Sequence, residues 1–425
     1  MKPNKTLMRI RTILNKFENL KSFVYKKEYL EKKSQQEVLI IEISARKNGK
    51  PICSVCGKHH SIYDHKANSR DFEFVPLWGM PTFFRYRMRR VDCPDCGVRI
   101  EQIPWAKGKS PITHTYGQFL AHWAKKLSWQ EVAQSFKTSW HNVFTAVKQM
   151  VEYGLAHRDL SQIEAIGVDE IHYGKGHKYL TMVYQLDLNE KRLLFVEKKR
   201  TIKSLLKCFR ELGKENCQNI KYVCSDMWKP YLKVIKKKLP NALNILDRFH
   251  IVKKLNEAVN DVRIEENRKL TQDGYEPILS KTKYCFLKKE ENLTKNQDAK
   301  LKDILQYDLR SVRAYLLKVS FEAFWQYKSP YWAQWFLRKW CTRAMRSKLE
   351  PMKKFVKMLR RHEPLLMNWF KAKKAYSSGA VEGLNRKVNL VTRRSYGFRN
   401  YDILKIALFH TMGKLPEPER AHSFF

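Results

Sequence analysis

The sequence predicts a multidomain α/β protein: a small metal-binding module and a helical module precede an α/β core that an all-helical domain interrupts. Three observations predict it. Two Cys-x-x-Cys-Gly motifs fall within the first hundred residues, period-2 apolar runs alternate with amphipathic helices over 163–250, and residues 251–375 are almost wholly helical in character. The expected boundaries are 1–45 (basic segment and strand), 46–108 (zinc-binding), 109–158 (helix-turn-helix), 159–255 (core, first part), 256–372 (helical insertion) and 373–425 (core, C-terminal part). A chain of 425 residues with 43% hydrophobic side chains has material for several cores.

Charge narrows the function classes. Lys and Arg number 83 against 42 Asp and Glu, a formal net charge of +41 spread along the chain. Such an excess points to a long contact with nucleic acid. No run of about 18 apolar residues appears, so no membrane span is expected. The opening "MKPNKTLMRI" lacks a signal-peptide core, so a cytoplasmic, nucleoid-associated protein is expected. Five of the nine cysteines (Cys208, Cys217, Cys224, Cys285, Cys341) are scattered, as packing residues are in a reducing compartment.

The N-terminal region opens with basic residues and a strand in "EVLIIEISA". The other four cysteines lie in "CSVCG" (53–57) and "CPDCG" (93–97). Each glycine permits the turn that aims backbone amides at a thiolate, and two such knuckles make a tetrahedral four-sulfur site. Cys53, Cys56, Cys93 and Cys96 are therefore the expected ligands of one structural Zn²⁺, with His59 and His60 beside them. Between the knuckles, "TFFRYRMRRV" alternates Phe84, Tyr86 and Met88 with Arg85, Arg87 and Arg89. That pattern predicts either a basic strand face for DNA phosphates or an edge strand guarded by arginines.

Residues 110–152 read as three helices. Tyr116, Phe119, Leu120, Trp123 and Leu127 share one helix face, Ser128 and Glu131 form a capping box, and Ser139 caps a third helix. Val143, Val147 and Met150 point inward there, leaving His141, Asn142 and Lys148 outward as candidate DNA contacts of a recognition helix.

From 163 the runs "IEAIGVD", "KYLTMVYQLD" and "KRLLFVEK" are three successive strands. A helix, the strand "NIKYVCSD", a basic helix and the strand "ALNILDRFH" follow. This order is of the ribonuclease-H-like type, with its first and fourth strands adjacent. Asp169 and Asp226 would then end neighbouring strands at one sheet edge. Each acid alone also fits a turn cap, and Glu170 competes with Asp169; alternation with Ile166 and Val168 favours Asp169. A third acid, Glu382 in "GAVEGLNRK", is placed on a helix after the Ser-Ser-Gly turn, with Asn385, Arg386 and Lys387 beyond it as phosphate contacts. Three carboxylates converging on one point suit two Mg²⁺ ions, with Mn²⁺ a substitute, as phosphodiester cleavage requires. In the helical stretch, the aromatic and basic "YWAQWFLRKW" (331–340) reads as helix core in preference to a base-stacking platform, with Arg338 and Lys339 placed to face a nucleic-acid backbone.

Together, "CSVCG…CPDCG", "IGVDE", "VCSDMWKPY", "DRFHIVK" and "SSGAVEGLNRKVNLVTRRSYGFRN" resemble the DDE transposases of bacterial insertion sequences, specifically the L-three family, along essentially the whole chain. The resemblance implies that Asp169, Asp226 and Glu382 are the metal-binding catalytic triad. It also implies that Asp247 and His250, in "DRFH", support the active site. Arg393 and Arg394, in the last motif, join the expected DNA contacts. The implied activity is Mg²⁺-dependent strand cleavage and strand transfer at terminal inverted repeats, by a homodimer or larger assembly on double-stranded DNA. The alternatives are a non-catalytic DNA-binding regulator descended from such an enzyme and a metal-dependent nuclease without strand transfer.

Overall fold

The computed structural model describes residues 9–33, 35–174, 178–376 and 379–419. Two compact units divide the chain: Met1–Arg158 with Asn389–Phe425, and Asp159–Val388. The Ser-Ser pair expected to open the last helix and the first eight residues lie outside the described residues.

The first unit begins with α1 (Ile10–Phe17), β1 (Phe23–Lys33) and β2 (Gln36–Ala45). Five more strands follow: β3 (Ser61–His65), β4 (Arg70–Leu77), β5 (Met80–Tyr86), β6 (Arg89–Cys93) and β7 (Gly97–Ile100). They form two sheets, β1-β2-β5-β4 and β3-β6-β7. The expected boundary at 45/46 is therefore not a structural one, because β5 pairs in parallel with β2 while its chain neighbour β6 joins the knuckle sheet. Trp105 anchors the larger sheet's core, with the rings of Phe23, Tyr86 and Phe72 edge-on at 4.9, 5.3 and 6.0 Å.

This split also dissolves the single basic face expected of residues 82–91. Arg85, on β5, is held by Asp71 and Glu31 at 2.7 and 2.6 Å. Arg89, on β6, is buried against Glu101 at 2.7 Å, and the Tyr86 hydroxyl donates to the same carboxylate. Only Arg87 of the three is exposed, and its Nε donates to the Lys66 carbonyl.

Three helices complete the N-terminal part of this unit: α2 (His114–Trp123), α3 (Trp129–Ser135) and α4 (Trp140–His157). Thr113, Ser128 and Ser139 cap them, and the Ser128–Glu131 capping box forms as the sequence anticipates. His141 and Lys148 are exposed, but Asn142 turns to Thr138 and Glu73.

The second unit carries a five-stranded sheet: β8 (Ala165–His172), β9 (Tyr179–Leu186), β10 (Lys191–Lys198), β11 (Tyr222–Ser225) and β12 (Leu243–Leu246), in the order β10-β9-β8-β11-β12. The first three are antiparallel neighbours, whereas β11 runs parallel to both β8 and β12. Helices α5 (Ile202–Leu212), α6 (Lys214–Asn219) and α7 (Lys229–Lys238) follow the strands. Leu205, Phe209, Tyr231 and Ile235 pack on Ile166, Val168 and Val223. Then come α8 (Arg248–Gln272), α9 (Lys283–Leu287), α10 (Lys295–Ile304), α11 (Arg310–Glu322), α12 (Pro330–Arg346) and α13 (Glu350–Lys371). The segment "DRFH" belongs to the start of α8 rather than to a strand, since Asp247 accepts from Phe249 N and caps that helix.

Two buried charges fasten the helices. Glu266 on α8 accepts from the backbone N–H of Arg310 and Ser311 at the head of α11, and Lys318 on α11 donates to the carbonyls of residues 286–288 at the end of α9. On α12, Ala333, Leu337, Trp340 and Ala344 face inward, while Tyr331, Trp332 and Trp335 are exposed, contrary to the all-core reading of that stretch. Helix α14 (Gly379–Arg394) crosses from the second unit into the first, where α15 (Tyr401–Met412) closes the described chain. Among the described residues no helix is long and apolar enough to cross a membrane.

One buried acid gives the first unit a pH dependence. Burial pushes the Glu73 carboxyl from its ordinary 4.5 up to about 7, although Thr138 and Asn142 donate to it. The folded value lies above the unfolded one, so Glu73's contribution is full below about pH 4.5 and is lost as pH rises through about 7. Glu73→Gln should therefore gain stability relative to the parent protein by up to roughly 3 kcal/mol between pH 5.5 and 8. Thermal denaturation across that range checks it, and parallel curves for the two proteins would contradict it.

Candidate active site and zinc centre

The register of β8 and β11 brings two acids to one place. Parallel pairing ends at Gly167↔Cys224, so Asp169 and Asp226 each stand two residues beyond the last partners. The strand β8 itself continues to His172, because its antiparallel pairing with β9 persists through His172↔Tyr179. Asp169 thus lies within a strand rather than at its end, at the point where one neighbour is lost. A carboxylate there has one side held by the sheet and the other open.

Helix α14 reaches this point because Gly167 has no side chain. A Cβ at Gly167 would stand 2.6 Å from Val381 Cγ2 and 2.9 Å from Leu186 Cδ1. The close approach lets Asn385 donate from Nδ2 to Asp169 Oδ2 at 2.5 Å and accept the Tyr184 hydroxyl at 2.8 Å. Asn385, expected on phosphate, instead orients the acid. Val381, Leu384 and Val388 form the buried stripe of the same helix.

Glu382 stands one turn before Asn385 on α14, about 60° around the helix from it. Its carboxylate pairs with Arg386 at 2.7 Å, and both side chains are exposed. The structure thus sets Asp169 and Asp226 each two residues past the last parallel partners, gives them different hydrogen-bond partners, and leaves the Glu382 carboxylate turned to Arg386. Lys387 and Arg393 are exposed, while Arg394 donates to the carbonyls of Lys125 and Lys126.

Arg200, which the sequence did not single out, completes the site. Glu170 projects to the opposite face from Asp169 and pairs with Arg200 Nε at 2.9 Å. The same guanidinium reaches Asp226 Oδ2 at 3.0 Å and lies over the Trp228 ring at 4.6 Å. Asp226 also accepts from Trp228 N at 2.7 Å. Asp247 holds His250 Nδ1 at 2.8 Å, and this bond, aided by the charges of Asp169 and Asp226, raises the His250 pKa. The sequence signal for Arg200 is only its place shortly after β10, one basic residue among 83.

Burial raises the Asp169 pKa, with Asp247 adding repulsion; burial and then Asp226 push Glu170 up to about 7. Four carboxylates face one guanidinium and one imidazole. Oxygen donors of this kind are the class that hard divalent cations take, while among the described residues only the four cysteines bring three or more ligand atoms within 4.8 Å of one another.

The zinc centre is built as its motifs predict. The sulfurs of Cys53, Cys56, Cys93 and Cys96 all lie within 4.8 Å of one another, and Cys56 and Cys93 are 3.7 Å apart. A tetrahedron with Zn–S bonds of about 2.3 Å has edges of about 3.8 Å, so the set fits zinc. Gly57 and Gly97 adopt φ of 72° and 71°, the left-handed turn that closes each knuckle. Backbone N–H groups of Cys56 and Val55 lower the Cys53 pKa to about 7. His60 Nε2 lies 3.4 Å from Cys93 Sγ, beside the site, whereas His59 turns to the Lys50 carbonyl.

Comparison with known proteins decides the family. A family model described as a transposase, of the ISL3 type, matches residues 166–408, which contain every residue of the acidic site. The chain belongs to the ISL3 family of transposases. This is the L-three family that the motifs resemble. A second model, the zinc-finger of the transposases of IS204, IS1001, IS1096 and IS1165, matches residues 49–96. The chain is similar to the transposase of insertion element IS1001 from Bordetella parapertussis, 27% identical over 84% of this chain and 87% of that protein. It is also similar to the IS1557 transposase of Mycobacterium tuberculosis, 27% identical over 87% and 88% of the two chains.

In this ISL3 transposase the zinc centre supports the β3-β6-β7 sheet, where Val91 is buried against Cys53 and Cys93. Chelation of the metal, or Cys93→Ser, should release one zinc per chain and speed amide exchange across 49–100. Exchange in β8–β12 should stay unchanged. Metal analysis with hydrogen-exchange mass spectrometry reads both; full protection after metal removal would contradict a structural role.

Proposed function

We propose that this transposase cuts and joins DNA at the terminal inverted repeats of an insertion sequence, with Asp169, Asp226 and Glu382 as its catalytic acids. The observation that supports the proposal is the register of β8 and β11, whose last parallel partners, Gly167 and Cys224, each stand two residues before one of these acids. The strand order, with three antiparallel strands followed by two parallel ones, supports a ribonuclease-H-like core interrupted by the helices of α8–α13. Asp169 and Asp226 would hold Mg²⁺, and Glu382 joins them when its side chain leaves Arg386. When bound, paired ions neutralise charge on the attacking and leaving oxygens of an in-line displacement.

The protein's own residues prepare that chemistry. Asn385 fixes the rotamer of Asp169, and Arg200 together with the Trp228 amide fixes Asp226. His250, oriented by Asp247 through Nδ1 and with its pKa raised by that bond, has Nε2 as the ring nitrogen available to a phosphate oxygen. Water attack at the element's end would free a 3′-hydroxyl, which then attacks a target phosphodiester without a covalent protein–DNA intermediate. The capped pair α3–α4, with His141 and Lys148 outward, is the proposed helix-turn-helix reader, and Arg87, Arg386, Lys387 and Arg393 are exposed cations for the backbone. Handling two ends at once requires at least a dimer on DNA.

The test compares wild type with Asp226→Asn and Glu382→Gln on the element's own end sequence with Mg²⁺. Nicking and joining should fall by at least about a hundredfold in both variants, with DNA affinity within about twofold. A wild type that binds the end but neither cuts nor joins under Mg²⁺ or Mn²⁺ would favour the DNA-binding regulator instead. Cutting without joining would favour the nuclease.

A further inference from the structure

Helix α12 exposes a surface that its packing does not use. Its inner stripe of Ala333, Leu337, Trp340 and Ala344 is buried, yet Tyr331, Trp332 and Trp335 remain 68%, 53% and 43% exposed. The three rings meet only by their edges: Tyr331 and Trp332 at 5.2 Å and 78°, Trp332 and Trp335 at 5.9 Å and 83°. In these T-shaped contacts an edge meets a face, so no two of the three rings stack in parallel. Lys339 Nζ stands 3.8 Å from the Trp335 ring centroid, one turn along the helix. Beyond it the outer face is cationic through Arg343 and Arg346, and the seventeen residues of α12 include no acid.

The start of this helix is tied to the acidic site through contacts within the unit. The turn Ala323–Gln326 precedes it, and the Trp325 ring lies 5.0 Å from Arg248, the residue after Asp247. Phe336 on α12 packs on Tyr327 and Phe324, in and just after the same turn, at 5.4 and 6.5 Å. The exposed rings therefore begin shortly after a contact with the head of α8.

We propose that the α12 face is a stacking platform for unpaired nucleobases of DNA, with Tyr331, Trp332 and Trp335 taking the bases and Lys339 and Arg346 the adjoining backbone. Paired bases hide their faces within the duplex, so rings of this kind gain most from strands that are open or nucleotides that are flipped out. A second copy of the chain fits the patch poorly. A twofold interface would set the same cations of each copy against each other, with no acid on the helix to offset them. The setting at a strand-processing site rests on the function proposed above, whereas the binding event does not depend on cleavage.

The test uses the full-length, zinc-loaded protein and fluorescence anisotropy with three probes: a short single-stranded oligonucleotide, the same strand with abasic sites, and the matched blunt duplex. Trp332→Ala/Trp335→Ala should weaken single-strand binding by about tenfold or more. Duplex affinity should hold within about twofold, and Trp332→Phe/Trp335→Phe should retain binding because the ring faces persist. The abasic strand should bind wild type as weakly as the intact strand binds the alanine variant. Equal losses on single strand and duplex, or no loss on either, would overturn the platform. So would a sedimentation change from dimer to monomer in the alanine variant with single-strand affinity intact, which would assign the patch to a contact between copies.

Discussion

The candidate active site depends on one constraint: the parallel ladder between β8 and β11 stops at Gly167 and Cys224 while the antiparallel ladder to β9 runs on. A strand held on one side only can still keep a side chain rigid, and its open side gives access. Asp169 has that environment, and Asp226 enters the same space from the end of β11. Asp169 takes its position from the ladder to β9, and Asp226 follows directly on Ser225, the last paired residue of β11. The neighbouring groups then act on fixed points. Asn385 reaches Asp169 because Gly167 concedes the space of a side chain, and Arg200 bridges Glu170 and Asp226.

The charge distribution follows from the same arrangement. The protein is strongly basic, yet it concentrates Asp169, Glu170, Asp226 and Asp247 at one end of a sheet. Burial first, and the neighbouring acids after it, raise the pKa of Asp169 and Glu170. Arg200 and His250 relieve part of the repulsion from within the protein, and a divalent cation would relieve the rest. Glu382 stands outside the cluster, paired with Arg386, on a helix held to the sheet by Val381 and Asn385.

Much of this was legible in the sequence, for reasons that can be named. The four cysteines were readable because metal geometry dictates local spacing, and the capping residues Ser128 and Ser139 because a helix start is a local event. The strand order was readable from alternating periodicities, and with it the adjacency of β8 and β11. What escaped depends on distant partners. Arg85 and Arg89 share a parity with Arg87 but lie on strands of different sheets, and their ion-pair partners Glu31, Asp71 and Glu101 stand on other segments, 54, 14 and 12 residues away. Asn385 and Arg200 have roles set by how closely α14 approaches β8 and where the chain leaves β10. On α12 the aromatic residues outnumber the places its neighbours offer, and periodicity alone cannot tell which rings are left outside.

The central claim is that Asp169, Asp226 and the first turns of α14 surround one cation site. Iron-promoted backbone cleavage tests it directly: Fe²⁺ replaces Mg²⁺, ascorbate generates radicals at the bound ion, and mass spectrometry maps the cut positions. The account predicts cuts clustered at 168–170, 225–227 and 382–386, suppressed by excess Mg²⁺. Cuts confined to other segments, or cuts at 168–170 and 225–227 that persist undiminished in excess Mg²⁺, would contradict it.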